Sequence, residues 1–223
     1  MLPLITIDQV FHVGSLVISD RTTQSSLEAN CLSVSVNPEE WGNIARVAGT
    51  CWTMTRPGAL WIDACNLDDA QEAALLVWAV SEGLLEPATL WRAWHHDGES
   101  DDWRFMSFGN EAAARHEIGG DVDDDGPSDD GTMLDSRESH RLTVTAMAAL
   151  KRWSDPFDAI NGAVILYAER VLGPTNHDVM GIWWDEIYDP LSLSCPRGGV
   201  LSDKITAFSI APGEPGDEFL LRL

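Results

Sequence analysis

Short runs of period-two alternation recur near both ends of the 223-residue chain, and helix-type spacing fills much of the stretch between them. The clearest run is Cys31-Leu32-Ser33-Val34-Ser35-Val36, where Leu32, Val34 and Val36 share one face and the serines the other. Residues 3 to 18 are rich in β-branched and apolar types and predict one or two strands with a break at Gly14-Ser15. Residues 50 to 63 predict two strands joined at Arg56-Pro57-Gly58, and residues 200 to 210 a last strand region. Gly181-Ile182-Trp183-Trp184 reads as a strand running into two acids, with Ile182, Trp184 and Glu186 on one side and Trp183 and Asp185 on the other. Strands at the ends and helices in the middle predict an α+β fold rather than a regular βαβ series. The length suits one substantial domain or two small ones, and we read residues 1–223 as a single domain.

The helical middle is placed at about residues 65–118. Asn37-Pro38 predicts a short helix through Trp41, Ile44, Ala45 and Val47. Asn66-Leu67-Asp68-Asp69 opens a helix to about Glu82, with Ala73, Leu76, Val77 and Val80 at helical spacing and Gly83 as its stop. A further segment follows Glu86-Pro87, and helical spacing accounts for Trp78, Trp91 and Trp94 as core residues. Residues 103 to 108 alternate like a strand, and Asn110 is a cap for a helix through His116. Leu142 to Trp153 and Asp158 to Leu172 read as helices, the second stopped by Gly173-Pro174.

Charge narrows the range of partners. Lys and Arg number 14 and Asp and Glu 36, a net charge of −22. From Asp97 to Glu138 there are 14 acids against Arg104, Arg115 and Arg137, so that window carries 3 − 14 = −11. The balance disfavours direct nucleic-acid binding and an anionic membrane surface, and it permits a basic protein partner or simply high solubility. Residues 119–139 predict an exposed acidic loop. Asp121-Val122-Asp123-Asp124-Asp125-Gly126 opens like a calcium loop, but Thr132 stands where a bidentate Glu is needed, and no metal site is expected. Cys31, Cys51, Cys65 and Cys195 are widely spaced, with no zinc pattern, and are expected to be reduced, small buried hydrophobes. The first residues lack the basic and apolar regions of an export signal, and no apolar run reaches membrane-spanning length, so a cytoplasmic location is expected.

Three clusters carry candidate chemistry. Phe11-His12-Val13-Gly14-Ser15 either presents a histidine ring into a cleft or places a strand-end histidine beside a turn. Ser33 and Ser35 either orient another group or face solvent. Trp183-Trp184-Asp185-Glu186 sets carboxylates beside an indole wall, which suits stabilisation of an oxocarbenium ion, or ends a core strand in a solvated tip.

The order of these pieces resembles the ADP-ribosyltransferase fold family, of bacterial and phage type. Phe11-His12-Val13-Gly14-Ser15 is similar to the opening strand, Leu32-Ser33-Val34-Ser35 to the serine-bearing strand, and Gly181 through Glu186 to the late acid-bearing strand. Leu193-Ser194-Cys195-Pro196-Arg197-Gly198-Gly199-Val200 is similar to the segment after the acid. The resemblance covers roughly residues 8–48 and 160–210. It implies a split β-sheet core holding NAD as substrate in the cleft, here with a helical middle insertion and an acidic loop. It implies that His12 binds the adenosine-side ribose, supported by Gly14 with Ser15, Ser33 or Ser35. It also implies that Glu186, or its neighbour Asp185, stabilises the departing nicotinamide's sugar. Trp41, Trp52 and Tyr167 compete as the ring stacked on nicotinamide, with Trp184 beside the acid. The implied activity is transfer of ADP-ribose to a macromolecule, plausibly as a toxin or defence-modifying protein acting on a basic protein. The alternatives are a non-catalytic acidic decoy that mimics DNA, with residues 97–102 and 121–135 as its contact, and an NAD hydrolase on the same fold.

Overall fold

The computed structural model describes residues 2–18, 30–38, 49–97, 102–118, 132–151, 155–184 and 196–211. The chain is mixed α/β, with an eight-stranded sheet, a three-stranded sheet and five helices among these residues. The large sheet contains β1 (Leu4–Thr6), β2 (Gln9–Val13), β3 (Leu32–Ser35), β4 (Cys51–Thr55), β5 (Leu60–Asp63), β9 (Val179–Trp184), β10 (Arg197–Val200) and β11 (Ser209–Ile210). Their order is β1-β5-β9-β10-β3-β2-β4-β11.

That order forces the sheet to roll up. β1 lies at one edge and β2 five positions along, yet only Ile7 and Asp8 join them. In a flat sheet the two strands would sit about 24 Å apart. Three backbone steps span at most about 11 Å. β4 and β5 are also five positions apart, and the five backbone steps through residues 56–59 span at most about 18 Å. The result is two bent ribbons, 4–13 and 51–63, paired antiparallel along their whole length. The corner is sewn by Ile7 N–H to Ala59 O at 3.1 Å and Arg56 N–H to Asp8 O at 2.7 Å. The Asp8 carboxylate also accepts from Gly58 N–H at 2.7 Å.

Residues from all around the roll meet in one apolar cluster. It contains Val10, Leu32, Val34, Met54, Trp61, Met180, Trp183 and Val200, with Ile5 and Ile7 against it. This is the concave face. Gly198 stands beside Trp183 in the ladder, and a Cβ there would lie 2.5 Å from the indole, so glycine makes the room the ring occupies.

The convex face is covered by α1 (Asp69–Ser81), α3 (Val144–Leu150) and α4 (Ala159–Tyr167), which bury Ile62, Ile182 and Trp184 in a second cluster. The split of Ile182 and Trp184 from Trp183 follows the alternation read from sequence. α1 is capped by Asp68 in a reciprocal box with Gln71 and stops before Gly83 at φ +66°. Its buried residues are Leu75 and Ala79, whereas Val77 and Val80, expected on the inner face, are exposed. α4 does not stop at Gly173-Pro174. It passes into a π-helical segment, Ala168–Leu172, and then a last turn, α5 (Gly173–Thr175). Among the described residues no helix is long and apolar enough to cross a membrane.

The middle of the chain departs most from the helical expectation. Leu85–Asp97 is one long strand, β6, flanked by β7 (Asp102–Phe108) and β8 (Thr132–Leu142), with α2 (Glu111–Glu117) on one face. Trp91 and Trp94 are three apart, which fits a helix, but strand parity sends them to opposite faces. Pro87 is tolerated in this central strand because β7 pairs only with Trp91–Asp97 and leaves the Pro87 stretch with β8 alone. β8 extends to Leu142, so the following helix begins at Val144. Of the cysteines, Cys31 and Cys51 are buried as expected, and Cys65 is exposed. The predicted helix through Trp41, most of the acidic loop (119–131) and Cys195 lie outside the described residues.

Candidate functional site at the parting of two strands

β2 pairs with β4 at every position from Gln9 to Val13, but with β3 at one position only, Phe11 opposite Ser35. Beyond that pair the two strands part, and the His12 ring fills the opening. Its Nδ1 lies 2.7 Å from the Ser33 carbonyl oxygen and its Nε2 3.0 Å from that of Ser15. The imidazole thus takes a backbone acceptor that a ladder N–H would otherwise serve. Burial holds the ring below the ordinary histidine range, against the pull of the two carbonyls, which favour the charged form.

The backbone around the ring is closely held. Gly14 has φ +115°, a conformation L side chains rarely adopt. Its N–H donates to Thr50 O at 3.0 Å, and its carbonyl accepts from the Trp52 indole at 2.8 Å. Gly49, at φ +135°, lies against it, since a Cβ there would come 3.2 Å from Gly14 Cα. Ser15 is exposed. His12, Gly14, Ser15, Trp52 and the Ser33 backbone therefore form one constellation at the end of the roll.

The remaining sequence candidates are placed elsewhere or not described. Strand parity turns the Ser33 and Ser35 side chains to the convex face, away from His12. Ser35 is buried there, donating to Pro196 O at 2.7 Å and accepting from Asn37 N–H at 3.1 Å. Trp184 packs under the helices and donates to Asn161 Oδ1 at 3.2 Å. Tyr167 stands edge-on to Trp78, with ring centroids 4.9 Å apart. Trp41, Asp185 and Glu186 lie outside the described residues; the two acids follow Trp184 directly.

A second group, not singled out in the sequence, sits at the same end of the sheet as the His12 opening. β3 starts there with Leu32 beside Val200, so Asn30 and Leu201 flank that end. A cavity of about 460 Å³ is lined there by Glu169, Pro174, His177, Leu201, Ser202 and Asp203. Glu169 lies on the π-helical segment, a distortion frequent at functional sites. Burial pushes its carboxyl above the usual range and Asp203 adds to that, while Asn30, Arg170 and Lys151 oppose it. Asn30 Nδ2 donates to Glu169 Oε1, and Asn30 Oδ1 is buried without a partner among the described residues. The sequence did carry a sign of Glu169: an acid interrupting the apolar run from Ala163 to Leu172.

No family model, no curated protein and no solved structure matches the chain. Functional inference rests on the geometry.

Proposed function

We propose that the chain binds NAD at the end of the rolled sheet where β2 and β3 part, breaks its nicotinamide–ribose bond, and transfers ADP-ribose to a macromolecule. The observation that carries the reading is the His12 opening. β2 and β3 pair at one described position and then part, and an imidazole, a glycine at positive φ, an exposed serine and an indole converge there. The ribose hydroxyls of the adenosine side would replace the Ser15 carbonyl at Nε2, because that contact belongs to an exposed residue beyond the strand. As the glycosidic bond breaks, its electron pair leaves with nicotinamide, and a carboxylate stabilises the cation left on the sugar. Glu186 is assigned that role, with Asp185 as its neighbour.

One observation favours a second placement of the acid. β9 runs from Val179, near the His12 end of the sheet, to Trp184 at the other, whereas Glu169 lies at the His12 end beside a cavity. The experiment is release of nicotinamide from NAD, followed by chromatography, with the full chain and three variants. Glu186→Gln is expected to abolish release, Asp185→Asn to reduce it, and Glu169→Gln to leave it intact. Loss in Glu169→Gln with retention in Glu186→Gln transfers the catalytic role to Glu169. No release by the full chain overturns the proposal. Mass spectrometry of acceptor protein then separates transfer from hydrolysis.

A further inference from the structure

β7 is an edge strand that a soluble protein would be expected to protect. From Trp103 to Ser107 every side chain is exposed, on both faces of the strand. Trp103 is 40% exposed, Phe105 47% and Met106 51%. No described strand pairs with the outer side of β7, so a row of backbone donors and acceptors stands beside an apolar, aromatic stripe. One face of this small sheet is closed by α2, against Ala93, Phe108 and Leu134. The other carries Trp94 and Phe105, with ring centroids 4.5 Å apart, and His96 against Trp103 at 5.1 Å.

The chemistry of that second face is displayed by one of the chain's own residues. The Arg92 guanidinium lies 5.0 Å from the Trp94 ring centre and 5.5 Å from that of Phe105, while its Nε donates to Asp135 at 2.7 Å. The rings are thus already used as a seat for a planar cation. Two occupants of an open strand edge can be separated by charge. A second copy would bring another −22 to the same interface, and nucleic acid would bring phosphates; both are repelled. A cationic chain is attracted.

We propose that β7 and the aromatic face beside it dock an extended, arginine-rich segment of a partner protein. The segment adds as a fourth strand on the edge of β7 that no described strand pairs with. Its guanidinium groups stack on Trp103 and Phe105 as Arg92 stacks on Trp94. The inference does not depend on NAD chemistry, and a chain inactive on NAD leaves it standing.

The test uses the full chain and a short synthetic peptide of alternating Arg and Val, followed by calorimetric titration at physiological salt. Trp103→Ala with Phe105→Ala leaves the net charge unchanged and is expected to weaken binding about tenfold, the loss of two ring–cation contacts. Methylating alternate backbone nitrogens of the peptide, which removes its pairing donors, is expected to weaken it likewise. Glu72→Lys on α1 with Glu82→Lys at its C-terminal cap changes the charge without touching β7 and is expected to have little effect. Weakening by the charge variant, with none by the ring variant, shows charge attraction alone and overturns the proposal. Absence of peptide binding overturns it as well. So does a dimer of the full chain that the ring variant converts to monomer, since the edge then belongs to a second copy.

Discussion

A histidine ring with a carbonyl oxygen at each nitrogen presents a conflict of proton count. Both partners of His12 only accept, so a neutral ring serves one and an imidazolium serves both. Burial decides for the neutral ring, and the native value lies below the ordinary 6.5. The folded state therefore binds fewer protons here than the unfolded chain does. Stability from this site is complete above the ordinary value and is lost as pH falls through the lowered one. Melting temperature is expected to drop as pH falls below the ordinary 6.5 and through the lowered value, and His12→Gln to flatten that drop. An unchanged slope in the variant would show that the ring does not titrate there. Glu169 has the opposite sign. Its raised value means the native state prefers the protonated acid, so stability is complete below the ordinary 4.5 and is lost as pH rises through the raised value. Glu169→Gln is expected to raise the melting temperature at neutral pH, and the gain should vanish in acid. The glutamine amide also supplies a donor for Asn30 Oδ1.

At the scale of elements, packing room in the strands is set by small residues. Gly198→Ala would place a Cβ 2.5 Å from the Trp183 ring and 2.7 Å from Ile182 O. It is expected to cost about 1–3 kcal/mol in urea unfolding, the usual range for overpacking. A smaller change would mean that Trp183 can shift aside. The strands at both ends of the chain were legible from alternation, as at Leu32–Ser35, or from short β-branched and apolar runs, as at β9, which is buried on both faces. β6 was not, because Trp91 and Trp94 serve opposite faces of a sheet that is only half covered, and their spacing of three mimics a helical turn. The inner face of α1 was misplaced for a related reason. Its small, uniformly apolar residues give no strong stripe, and the choice of Leu75 and Ala79 is made by the helices packed against them. The capping signal, being local, read correctly at Asn110, and the cap of α1 falls at Asp68, inside the four residues read as its start.

For the molecule as a whole, the sequence conveyed composition and the order of strands but not their closure. Nothing in residues 4–13 announces that they pair with 51–63 around a corner, since that pairing is set by partners far along the chain. The candidate site was half legible for the same reason. His12, Gly14 and Ser15 stood out locally, whereas the parting of β2 from β3, and the cavity beside Glu169, exist only once the sheet has rolled. The net charge of −22 was plain from composition, and residues 103–108 were read as a strand, but that this strand lies at the edge of its sheet follows only from its pairing with β6, a stretch read as helical.

The two-residue seam at Ile7 and Asp8 has a consequence for how the chain comes off the ribosome. Its first strands border β3 and β5, and β9 and β10, made after every other described strand but β11, complete the ring between those two. Until that late hairpin emerges, Val10, Val34 and Trp61 have no closing wall, and the nascent chain waits with its greasiest surface uncovered. Synthesis that stalls short of residue 200 leaves not a smaller version of this protein but an open, adhesive sheet.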